Sequence, residues 1–120
     1  DEFPAFFSVV SGFPAPFRIE SAEEVAAIWQ THRGLGLRTG MLIACPPPVS
    51  PDDTEMFATA IEQANREARD QRVVGGDVTP FVLSRIAELT DGASVRLNVA
   101  LLQNNARIAA EIAVAGRPSD

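Results

Sequence analysis

The alternation of apolar and polar positions divides the chain into four stretches with helical period and two short apolar runs. Ser21 and Glu24 have the spacing of a capping box, and Val25, Ile28 and Trp29 follow at helical intervals, so a helix is expected from about Ala22 to Arg33, stopped by Gly34 and Gly36. A second is expected to begin near "SPDDTE", where Asp52, Asp53 and Glu55 suit the positive end of a helix, and to run to about Asp70. Thr79 as N-cap beside Pro80 opens a third through "FVLSRIAEL", closed by Asp91 and Gly92. Ser94 then caps a long last helix that reaches about Ala115, before Gly116 and Pro118. The apolar runs Phe6 to Val10 and "MLIAC", Met41 to Cys45, predict one or two strands, the second ended by three prolines that supply no ladder donor.

Four helices with so few strands make an unusual α/β chain. A run as apolar as "MLIAC" belongs in a sheet with neighbours on both edges and layers on both faces, which this chain cannot supply. The pattern therefore predicts one portion of a larger α/β sheet protein whose other strands come from elsewhere.

The last helix raises a question of its own. At roughly 100° per residue, Leu97, Leu101, Leu102, Ile108, Ala109 and Ile112 form an apolar arc opposite Arg96, Gln103 and Arg107, and Asn98 and Asn105 fall near the middle of it. A buried primary amide left unpaired costs about 1 to 3 kcal/mol. Either neighbouring backbone groups satisfy these amides, or they set helix register, or Asn98 faces a polar ligand in a pocket.

Composition narrows the function. With 46% hydrophobic and 22% charged residues among 120, the chain reads as one globular unit, residues 1–120. No apolar run approaches the roughly 18 residues of a membrane span, and "DEFPAFF" lacks the basic start of a signal peptide, so a cytoplasmic protein is expected. The first residue is not methionine, and an excised or truncated chain is expected. A net charge of −6 and scattered basic residues argue against nucleic acid as partner. All ten basic residues are arginine, so no side-chain amine can form a Schiff base. Cys45 stands alone, which excludes an intrachain disulfide and a thiolate zinc cluster and suits a small buried hydrophobe. His32, also alone, fits a helix C-terminus.

Other motifs have simpler accounts. "GLGLRTG" precedes a strand instead of following one and lacks the dinucleotide spacing, so it reads as a helix stop. The acid pairs Glu23/Glu24 and Asp52/Asp53 complement helix dipoles. The triple proline is a stiff loop rather than a polyproline ligand. Cys45 to Pro48 and the helix starts at Thr79 and Ser94 could border a site, since ligands of α/β sheets lie beyond strand ends.

The blocks "DEFPAFFSVVSGFPAPFRIESAEEVAAI", "MLIACPPP" and "DVTPFVLSRIAELTDGASVRLNVALLQNNARIAAEIA" together resemble the C-terminal part of the pseudouridine-5'-phosphate glycosidases, the indigoidine synthase A family. The resemblance runs through nearly the whole chain, which is less than half of a typical member. It implies a lyase-type enzyme that reversibly cleaves the C–C glycosidic bond of pseudouridine 5'-phosphate to uracil and ribose 5-phosphate. It further implies a lysine that opens the ribose as a Schiff base, a divalent metal, typically Mn2+, a homotrimer and a three-layer α/β/α core. The asparagine of "RLNVALL" matches an active-site asparagine of the family, so Asn98 inherits contact with the small-molecule substrate. Asn104 and Asn105 match the "NNA" block, with structural support only.

The lysine, the metal-binding aspartate and the catalytic glutamate belong by this resemblance to the N-terminal part, so no metal ligand is assigned here and the chain alone is expected to be inactive. Where the family commonly reads "ANPIP" this chain has "ACPPP", with Cys45 in the asparagine's place, and "FSVVSG" lacks an arginine that many members carry. A non-catalytic assembly module that keeps only the fold region is the alternative. A divergent enzyme acting on another sugar phosphate, with a lysine from outside, is a third reading. Some relatives are fused to a sugar kinase.

Overall fold

Helices α1 (Ala22–Gly34), α2 (Pro51–Asp70), α3 (Val78–Leu89) and α4 (Ala93–Ala115) carry the fold, and a 3₁₀ turn, Gly75–Asp77, leads into α3. The computed structural model describes residues 2–117.

Local chemistry sets the helix starts. Ser21 caps α1, its hydroxyl accepting from the Glu24 amide at 3.2 Å, while the Glu24 carboxylate reaches past the cap to accept from the Glu20 amide at 3.0 Å. At the start of α2, Ser50 and Asp53 form a reciprocal capping box. Two expected starts are corrected. Thr79 is not the cap of α3, because the 3₁₀ turn carries the helix back to Val78 and Pro80 sits within the first turn, where its missing amide has no intrahelical partner to lose. Ser94 is not the cap of α4: Gly92, at φ 73°, turns the chain, and the Thr90 hydroxyl accepts from the Ser94 amide at 3.3 Å while donating to the Ile86 carbonyl at 2.7 Å. Pro118, expected just beyond α4, lies outside the described residues.

Neither expected strand is present among the described residues. The Phe6 to Val10 run is folded into a closed loop in which the Glu2 carboxylate accepts from the Ser11 and Gly12 amides at 3.2 and 2.8 Å, with Gly12 at φ 79°. The Phe3 amide donates to the Phe13 carbonyl at 2.9 Å, and a single Glu2–Pro14 bridge is all the pairing that results. Burial decides its shape, because Phe7 turns inward to stack on Phe57 with ring centroids 4.7 Å apart. In Met41 to Cys45 no backbone amide meets an acceptor among the described residues, and Leu42 is 86% exposed. A strand exists only through a neighbour, and no sheet edge stands beside this segment.

The helices pack in two places. Phe57, Ala60 and Ala64 of α2, Ile86 of α3, Leu97 of α4 and the looped-in Phe7 make the main cluster, with Val49, Val82, Leu89 and Ala93 against it. α1 packs instead along α4, where Val25 and Ala26 are buried and the Ala26 Cβ lies 3.8 Å from the Cβ position of Gly116. Helix α4 is thus the spine between a four-part cluster and a lone helix. The result is long, 58 × 28 × 23 Å, with a radius of gyration of 18.0 Å against about 14 Å for a compact chain of this length. Among the described residues no helix is long and apolar enough to cross a membrane.

Along α4 the expected apolar arc divides. Ser94 and Leu97 are buried and Leu101, Asn104, Ile108 and Ile112 half-buried, whereas Val95, Val99 and Leu102 stand 54%, 49% and 59% exposed on the other side. One neighbouring layer covers only part of so wide an arc.

Candidate functional site

Asn98 follows Leu97 on α4, about 100° round the helix from the buried line. It is exposed, and its amide makes no hydrogen bond among the described residues; Asn105, two turns on, is in the same state. The expectation that both lie amid a buried arc is corrected: they stand in the trough between the inward line and the exposed line of Val95, Val99 and Leu102. The neighbouring backbone does not satisfy them. Asn104 differs, its Oδ1 accepting from Arg107 Nη2 at 2.9 Å while Arg107 also pairs with Glu111.

Residues next to two of the segments expected to border a site join the main cluster. Val49, just past the triple proline, and Ala93, at the start of α4, both pack on the cluster that holds Leu97. Pro47 is itself buried. Thr79 is exposed on α3 and is absent from that cluster. Cys45 is half-buried, its Sγ 4.0 Å from the Ile43 carbonyl. His32 stacks on Trp29 at 5.3 Å and meets the Thr39 hydroxyl through Nε2 at 2.9 Å, which ties the end of α1 to the following loop.

The charged network that sequence reasoning missed lies between α2 and α3. Arg85 meets Glu67 through Nε at 2.5 Å and Nη2 at 3.2 Å, and Glu88 through Nη1 at 2.7 Å; Gln63 donates to Glu67 at 2.9 Å. The hydrogen bonds from Arg85, then from Gln63, hold the Glu67 carboxyl below the usual glutamate range, and those to Glu67 and Glu88 raise the Arg85 guanidinium further. Only the four-residue steps Gln63–Glu67 and the three-residue step Arg85–Glu88 were visible as helical neighbours. A shallow cleft lined by Glu67, Gln71, Phe81, Ser84, Arg85 and Glu88 beside this network is far more a crease between two helices than a pocket, and Asn98 has no part in it.

Among the described residues no three histidine, cysteine, aspartate or glutamate side chains gather as a metal site. The divalent metal implied by resemblance thus has no clustered ligand set among those described residues.

What can be assembled chemically is an exposed carboxamide on α4, two donors and two lone pairs, with no hydrogen bond among the described residues. Comparison with known proteins gives that arrangement a family. A sequence model of the indigoidine synthase A like proteins matches residues 1–115. The chain belongs to that family. Its relatives within the indigoidine synthase A group include pseudouridine-5'-phosphate glycosidases of three distant organisms. The Legionella pneumophila protein is 47% identical over 116 residues, covering 96% of this chain and 37% of that protein. The Geobacillus kaustophilus protein is 45% identical over 114 residues, covering 94% and 38%. The Arabidopsis thaliana protein is 43% identical over 116 residues, covering 96% and 35%. The chain thus spans little more than a third of the length of these relatives.

Proposed function

We propose that residues 1–120 are the C-terminal segment of a pseudouridine-5'-phosphate glycosidase, a lyase-type enzyme that cleaves the C–C glycosidic bond of pseudouridine 5'-phosphate to uracil and ribose 5-phosphate. The observation that carries this reading is identity of 43% to 47% with glycosidases over at least 94% of the chain. In the whole protein the segment joins a three-layer α/β/α core and a cytoplasmic homotrimer, and the manganese is held by residues of the other part.

Asn98 contacts substrate. Its carboxamide can donate to, and accept from, ribosyl or uracil oxygens without giving up a bond, since it makes none in this chain, and a group fixed on a helix needs little reorganisation as charge shifts on those oxygens. The chain has no lysine, so any step through an amine belongs to the remainder of the enzyme.

Release of uracil from pseudouridine 5'-phosphate, with manganese present, tests this reading. The chain alone is silent, and a complex with the N-terminal part of a family member is active. In that complex Asn98→Ala lowers kcat/KM by about 10- to 100-fold, the loss of one or two polar contacts, with helicity unchanged. An unchanged rate removes the role of Asn98, and silence from a well-formed complex removes the substrate.

A further inference from the structure

The exposed line Val95, Val99 and Leu102 on α4 is too apolar and too regular for a solvated face. These positions recur at four and three residues, the spacing of a second buried stripe, on the side of the helix away from Leu97. A helix apolar on two opposite sides belongs between two layers, and here only one is present. The whole chain exposes 8658 Å², where about 6,300 Å² is expected of a compact protein of its mass, an excess of about 2,400 Å². That excess is surface that a compact chain of this mass would have covered.

We propose that the outer face of α4, together with the unpaired backbone of Met41 to Cys45, is the seam on which the rest of a family chain docks, the part of the relatives that this sequence does not span. This deepens the reading of the chain as a glycosidase segment and rests on it. Three observations select that occupant. The relatives extend well beyond the matched region, since the chain accounts for 35% to 38% of their length. The backbone of Met41 to Cys45 is open to pairing, since none of its amides meets a protein acceptor among the described residues. Two copies would also bring together two bodies of charge −6.

The seam also explains the asparagines. Asn98 and Asn105 lie in the trough between the covered and the uncovered lines, so closing the second layer encloses both. A carboxamide that is idle in this chain then stands at the wall of an interior space lined by two parts of the enzyme.

The test mixes this chain with the unmatched remainder of the Legionella pneumophila glycosidase and measures association by sedimentation and calorimetry. Val99→Asp and Leu102→Asp each weaken association at least tenfold, while Gln103→Asp, on the polar side of α4, stays within twofold. Helical circular dichroism of each variant alone stays at the parent value, because these side chains are exposed in this chain. Pairing of Met41 to Cys45 is read separately, as slowed amide hydrogen exchange in the complex. Tight binding that ignores both Asp variants overturns the seam and leaves the glycosidase reading standing. Binding that the variants weaken, with no uracil released, keeps the seam and overturns the substrate. Failure to associate, or self-association that the variants abolish, overturns the proposed occupant.

Discussion

Leu97 and Leu102 are the same residue on the same helix, and the structure assigns them opposite fates in the isolated chain. Leu97, 9% exposed, sits in the main cluster with Phe57, Ala60, Ala64 and Ile86; Leu102 is 59% exposed on the other side. Truncating a buried leucine to alanine removes about 2 to 3 kcal/mol of transfer free energy and adds a cavity cost, so Leu97→Ala destabilises by about 3 kcal/mol. Two-fifths of the same transfer term applies to Leu102, no cavity forms, and alanine favours the helix, which brings Leu102→Ala under about 1 kcal/mol. For a chain of this length the first shifts Tm by roughly 10 °C and the second by at most a few degrees. Urea unfolding followed by circular dichroism measures both, with m held common so that the midpoint reports stability. Equal costs would refute the division of α4 into a covered and an uncovered face. In the proposed complex the difference closes, and Leu102→Ala costs as much as Leu97→Ala.

Three further perturbations address single elements. Ser50→Ala removes the reciprocal cap of α2 and costs about 1 kcal/mol, read as a lower urea midpoint. Gly92→Ala places a Cβ at φ 73° and 3.3 Å from Arg96 Nη1, and costs about 1 to 2 kcal/mol in the same assay; a neutral result would mean that the α3–α4 turn relaxes freely. Because Glu67 is held below its ordinary pKa, its pairing with Arg85 contributes fully above the unfolded value of about 4.3 and is lost as pH falls through the lower folded value. Stability of the parent chain should therefore fall more steeply than that of Glu67→Gln over that acid range, and parallel profiles would show that the network is energetically idle.

Much of the helical layout was legible because its determinants are local. Capping residues, acidic first turns and glycine stops act within one turn, so α1 begins where Ser21 predicts and α2 within the expected "SPDDTE". The start of α4 was misplaced by two positions because Ser94 has the chemistry of a cap, while Gly92 and the Thr90 hydroxyl already do that work, a division visible only once α3 and α4 share a corner. The strands failed for a different reason. "MLIAC" has strand chemistry, yet a strand is a relation between segments, and no partner segment is among the described residues. Phe7 was pulled from its expected strand by Phe57, fifty residues away. At the site, helical periodicity put Asn98 near apolar neighbours correctly but could not tell one covered face from two. Its proposed role came from the resemblance of "RLNVALL", not from geometry.

The corner between α3 and α4 constrains which sequence lengths the fold can use. Leu89 and Ala93 are separated by three residues, two of them, Asp91 at φ 47° and Gly92 at φ 73°, in the left-handed region. Nothing there can absorb a change of length. Deleting one residue at the corner would rotate α4 by about 100° against α3 and bring Asn98 into the place of Leu97. The connection from Leu35 to Gly40, by contrast, can lose or gain residues without turning any helix. Insertions and deletions should thus accumulate before Met41 and be purged between α3 and α4, with a single missing codon at the corner as damaging as loss of the helix itself.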